Sequence, residues 1–409
     1  MAPTGCSVDR DDSYELLRRC DDRAPGEPTP LRYAAGDDAG AARVRRLMSD
    51  ELSGELLRTF AMARRLVAAS APRSSVRRAR ARSPLYVALG ASDLDRGRSY
   101  RDRELRALGL RRVIPADAPI IWIEDVPARC EEGRMLAAAQ PASGVSDPAL
   151  VDALVLDQIV SGFGKAILGL VAPGPVSVID GAPTVVDPLG EGYATFLEVV
   201  AAEWRSRDGD RAMADARVVL QAAHRFAAVR SYTGVAAFRD FAERVSLSSG
   251  ESPRSIRVST YEVVRDPLVI AAFLHRLAAS EVGHRLAPDE IYRPIVSELP
   301  PPGISPGRLL GAFRNFQAKL LWAWNRAVLA ERPPLDLIDL VAAYADAFPA
   351  ERAQVIRIFL VTTGGLTVQP GGVDDEGSPD DVASRLETLA THVRLGDMDL
   401  RVGLRAAVP

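Results

Sequence analysis

The stretch ALVDALVLDQIVSGFGKAILGLVA, residues 149–172, is apolar on nearly every side when wound as a helix. Leu156, Ile159, Val160, Phe163, Ile167 and Leu170 cover one broad side, and Leu150, Leu154 and Leu168 fall near the opposite one. A helix with apolar residues all round is a buried helix. Through it runs one polar row, Asp157, Ser161 and Lys165, at the i, i+4, i+8 spacing that shares a face. Gly162, Gly164 and Gly169 lie beside that row, and each glycine inside a helix costs about 1 kcal/mol relative to alanine. Three of them predict either a close approach to the backbone or a break at SGFG.

Lys165 stands out for a second reason. Lysine and arginine together number 51, yet only Lys165 and Lys319 are lysine, and asparagine occurs only as Asn315 and Asn325. That composition points to a GC-rich bacterial genome, which accounts for most of the arginine without any function. A lysine kept in an apolar wall must be paired, lose its charge or reach solvent. Lys165 is therefore the first candidate for holding or deprotonating an anionic small molecule.

Outward from this helix, short β-branched and aromatic runs bounded by turn residues predict buried strands at LYVAL (85–89) and IIWIE (120–124). VSVIDGAPTVVD (176–187) predicts a hairpin turning at Gly181, Ala182 and Pro183. Strand ends beside a helix make a usual ligand cleft. The expected site thus gathers Lys165, Asp180, Asp125 and Glu124 as catalytic residues, with Asp157, Ser161 and Gly164 binding substrate.

The remaining chain is expected to be mostly helical. Residues 1–38, rich in Asp, Arg, Pro and Gly, predict a flexible segment with at most one short helix around 14–19. One long helix is expected over 41–70, followed by a solvated basic connector, APRSSVRRARARSP (71–84). Further helices are expected at 192–207, 210–230, 235–245, 265–283, 306–331, 335–348, 350–362 and 380–394, with QPGGVDDEGSPDD as a loop. The aromatic stripe of Phe316, Trp322 and Trp324 reads as core. The fold class is α+β and predominantly helical: residues 39–190 hold a helix plus a small mixed αβ unit, packed on a larger helical domain, 191–409.

Several chemistries are excluded. A net charge of −3 gives no electrostatic case for nucleic acid. Cys6, Cys20 and Cys130 lack metal-finger or disulfide-framework spacing. No apolar run reaches the roughly eighteen residues of a membrane span, and the charged N-terminus lacks a signal-peptide core, so a cytoplasmic setting is expected. A Walker A loop fails because Ile159 stands where its first Gly belongs and Ala166 replaces Ser/Thr. In LYVALGASDLDRG, Ser92 lacks the aspartate that precedes an SGNH-esterase nucleophile. His275 and His284, read on one continuous helix, face apart, and Glu281/His284 is a single ExxH where di-iron bundles use two, so no metal or cofactor is expected.

The expected function is a bacterial, metal-independent biosynthetic enzyme of specialised metabolism, acting on a small, anionic molecule between the αβ unit and the helical domain. A homodimer is compatible with this reading. A non-catalytic helical binding or assembly protein is the alternative. A second alternative rests on order alone: IIWIEDVP, LVLDQIV and VSVID resemble the hinge, catalytic loop and metal loop of lipid-kinase-like phosphotransferases. The resemblance implies Asp180 as metal ligand. It puts Gly164 and Gly169 where the catalytic aspartate and metal asparagine belong, which implies a degenerate, pseudokinase-like domain.

Overall fold

The computed structural model describes residues 14–19, 31–33, 39–89, 118–123, 148–172, 188–207, 250, 258–296, 304–363 and 376–377. They are predominantly helical with a small sheet, an α+β arrangement. The chain divides into two compact units. The first comprises Met1–Val186, Ala201–Ala222 and Pro294–Glu298, and the second Asp187–Val200, Ala223–Arg293 and Leu299–Pro409.

The first unit is built on a four-stranded sheet of β1 (Tyr14–Arg19), β2 (Leu31–Tyr33), β3 (Leu85–Leu89) and β4 (Ile120–Ile123), in the order β2-β1-β3-β4. β1, β3 and β4 are parallel and β2 is antiparallel to β1. All five residues of β3 are buried, as a parallel strand covered on both faces requires. Two expectations are corrected here. Residues 14–19 are a strand rather than a short helix, and the segment 1–38 contributes structure through 14–19 and 31–33. YELLRR carries helix-forming residues, but its pairing with β3 from Tyr14↔Leu85 to Arg18↔Leu89, and the complete burial of Leu17, override that weak preference.

The expected helix over 41–70 is two helices, α1 (Ala39–Met48) and α2 (Glu51–Ser70). Asp50 is extended between them (φ −65°, ψ 152°), and its carbonyl accepts the Gly54 amide at 2.9 Å. The basic connector is also corrected. It contains α3 (Val76–Arg82), whose N-cap Ser75 accepts from the Arg78 amide at 3.3 Å. The expected helix over 149–171 is present as α4 (Pro148–Val171), unbroken through its glycines. It packs against α2, α3 and β4. A methyl group at Gly162 would overlap the Ile121 side chain of β4, so this glycine serves the approach of helix to sheet. The segment LVLDQIV lies inside α4, and β3 and β4 run parallel.

The second unit contains α5 (Pro188–Arg207, as far as Val200), β5 (Val258–Ser259), α6 (Thr260–Val263), α7 (Pro267–Ala279), α8 (Glu281–His284), α9 (Asp289–Tyr292), α10 (Pro306–Leu309), α11 (Gly311–Leu329), α12 (Leu337–Ala347), a 3-10 turn (Pro349–Glu351), α13 (Arg352–Thr363) and β6 (Glu376–Gly377). α11 packs on α8 and α12, and α13 packs on α7 and α12. Asp266 and Asp336 cap α7 and α12, accepting from the Leu268 and Asp339 amides. Phe316 and Trp324 are buried core, as expected, whereas Trp322 is half-buried.

Three boundaries differ from expectation. The helix expected over 265–283 ends at Ala279 and restarts after an extended Ser280. That over 306–331 breaks before Gly311, which takes a left-handed φ of +70°. Residues 376–377, expected in a loop, pair with β5. The expected hairpin and the helices at 210–230, 235–245 and 380–394 lie outside the described residues.

Candidate functional site

Asp157, Ser161 and Lys165 share one half-buried stripe of α4, whereas Gly164 is buried. Glu124, Asp125 and Asp180 lie outside the described residues. The ends of α4 are electrostatically complemented. Near its start, in the second turn, Asp152 pairs with Arg43 (3.2 Å) and Arg46 (2.6 Å). At its last turn, where carbonyls have no helical partner, the Arg77 guanidinium donates to the Val171 carbonyl (2.7 Å) and that of Arg80 to the Gly169 carbonyl (2.6 Å). Two of the five arginines of the basic connector thus clamp a helix terminus, while Arg73 and Arg82 are exposed, as expected of a solvated connector. Burial, with Arg80 beside it, lowers the Arg77 pKa from its ordinary value.

The other lysine has a different fate. Lys319, in the middle of α11, is wholly buried, and the sequence singled it out only by its rarity. Its ammonium donates to the Val282 carbonyl (2.7 Å), the Arg285 carbonyl (3.2 Å) and both carboxylate oxygens of Glu351 (2.8 Å each). The rings of Phe348 and Tyr344 lie 5.1 and 5.8 Å from the ammonium. The Tyr344 hydroxyl donates to Glu351 (3.2 Å). One turn away on the same face, Asn315 donates to the Gly283 carbonyl (2.9 Å) and accepts from the Tyr292 hydroxyl, which itself accepts from the Ala287 amide (2.7 Å). Burial lowers the Lys319 pKa against the opposing pull of Glu351, and burial raises those of Tyr292 and Tyr344.

This cluster has the residue types of an acid–base site, but its valences are filled. Three ammonium protons meet two carbonyls and a carboxylate, and nothing remains to engage a substrate. Replacing either partner alone would leave an uncompensated buried charge, at a cost of about 3–5 kcal/mol. The cluster is architectural. A signal for it did exist: Asn315 and Lys319 stand four residues apart in a chain with two of each.

His284 is exposed on α8 and His275 half-buried on α7. Because the helix breaks at Ser280, the rotation argument that set them on opposite faces of one helix does not apply. Among the described residues no three His, Cys, Asp or Glu side chains converge on a point that could hold a metal. Among them, too, no helix is long and apolar enough to cross a membrane. Comparison of the chain with protein-family models, curated proteins and solved structures finds no match.

Proposed function

We propose that the chain is an enzyme acting on a small anionic molecule at the carboxyl-terminal edge of β1, β3 and β4. The observation that carries this reading is the parallel register Leu89↔Ile123, which ends β3 and β4 side by side. From that edge the chain continues as Gly90-Ala91-Ser92 after one strand and Glu124-Asp125 after the other. In open sheets with parallel strands, ligands bind outside the carboxyl ends of those strands. Lys165 is the cation proposed to hold the anion, with Glu124, Asp125 and Asp180 supplying the acid–base group and Asp157, Ser161 and Gly164 the adjoining wall.

The test begins with native mass spectrometry of the purified chain for co-purified small molecules, followed by thermal-shift screening against organic phosphates and carboxylates. The expected result is an anion whose binding weakens about thirty-fold, roughly 2 kcal/mol, in Lys165→Met. The melting temperature of the ligand-free variant should stay near that of the wild type. If no anion binds, or the variant binds it as the wild type does, the proposal fails.

A further inference from the structure

The segment 280–287 has an unusual division between its two sides. Glu281, His284, Arg285 and Leu286 are exposed, while Val282 and Gly283 between them are buried. Locally the turn is closed by backbone bonds from His284 to the Ser280 carbonyl (3.3 Å) and from Arg285 to the Glu281 carbonyl (2.9 Å). The carbonyls of Val282, Gly283 and Arg285 are instead taken from behind by Lys319 and Asn315 of α11. The Ala287 amide is taken by Tyr292. At Gly283 a side chain has no room, because a Cβ would press on the carbonyl oxygens of Leu277 and Ala278.

A buried ion pair is a poor way to gain stability, since apolar residues of similar volume commonly do as well. What this pair has that apolar side chains lack is directed donors, and three of the backbone acceptors it shares with Asn315 belong to a single exposed turn. We propose that Lys319, Glu351 and Asn315 form a latch that fixes the shape of the 280–287 turn, so that its four exposed side chains are displayed in one arrangement. The turn opens as a local unit when the latch is removed. Glu351 acts through Lys319: its carboxylate holds the ammonium on the carbonyls and keeps the buried charge compensated.

The test uses the full chain in two forms. Lys319→Met combined with Glu351→Met removes both charges at similar volume. Asn315→Leu leaves the pair intact and frees the Gly283 carbonyl. Hydrogen exchange is followed in peptides covering 280–287, α7 and α11, together with tryptic cleavage after Arg285. In both variants exchange in 280–287 should rise about ten-fold or more while α7 and α11 keep their protection, and cleavage after Arg285 should accelerate. Unchanged exchange in the turn would overturn the latch, because the turn would then hold its shape without directed donors. A rise of similar size in all three peptides, or failure of both variants to fold, would overturn it too. The network would then support the whole unit rather than one turn. Should only the double variant fail to fold, Asn315→Leu decides.

Discussion

Glu331 is the only non-glycine residue with positive φ (60°) among the described residues. It occupies the left-handed position that ends α11. The Arg332 amide reaches back to the Ala327 carbonyl (2.9 Å) and the Glu331 amide to that of Val328 (3.1 Å), the paired bonds of a Schellman motif. Such a position favours glycine, and a side chain there is strained. Glu331→Gly is therefore expected to stabilise the chain by about 0.5–1 kcal/mol, the relief of strain exceeding the extra backbone entropy of glycine. A urea melt reads this directly, and a midpoint below that of the wild type would refute it. At this scale the sequence was legible in residue type more than in residue role. The lysine scarcity identified two positions worth asking about, but the one in the apolar run proved half-buried and the one in the aromatic stripe proved wholly enclosed. The partner that decides the second, Glu351, lies 32 residues further on in another element, and no periodicity reports a contact of that kind.

Among elements, α4 shows what patterning does and does not reveal. Its ends, its burial and the need for a close approach at Gly162 follow from local composition. Its C-terminal clamp does not, because Arg77 and Arg80 come from 94 and 89 residues earlier. Removing either guanidinium should leave a helix-end carbonyl without its donor. Arg77→Ala and Arg80→Ala are each expected to cost about 1 kcal/mol, with lysine at either position recovering part of it. Denaturant midpoints of the four variants measure this, and alanine variants that melt with the wild type would show the clamp to be idle. Helix interiors were readable from apolar spacing, whereas the interruptions at Asp50, Ser280 and Gly311 were not. Each is a change in backbone direction made where the flanking helices pack differently, and the apolar period continues across it. The strand at Tyr14–Arg19 was missed for the same reason, since its identity comes from pairing with β3.

For the molecule as a whole, burial of titratable groups sets its behaviour in alkali. Burial raises the pKa values of Tyr14, Tyr193, Tyr292 and Tyr344. An unfolded chain releases phenolic protons near pH 10, while the folded chain keeps them. Above that pH the native state binds more protons than the unfolded one, so stability falls as pH rises. Lys319 acts in the opposite sense. Its folded pKa is lowered, so between that value and the ordinary one the unfolded chain binds the extra proton and stability rises with pH. Four tyrosines oppose one lysine, and the expected outcome is a net loss of stability above about pH 10. Urea midpoints taken at intervals from pH 8 to about 11 should decline beyond that point, and a steady increase would contradict the assignment.

The position of β1 also sets the order in which the first unit can assemble. β1 is followed in the chain by β2, α1, α2 and α3, yet its parallel neighbour is β3. A growing chain presents Tyr14–Arg19 long before Leu85–Leu89 exists to pair with it. Leu17, fully covered in the finished sheet, must spend that interval in water or under a temporary cover. Parallel pairing across such a sequence separation is slow to nucleate, because loop closure comes before the contacts that reward it. Pairing of β1 with β3 is thus expected to follow the local β1–β2 pairing, and the interval before it closes is when the chain is most exposed to association with its own copies.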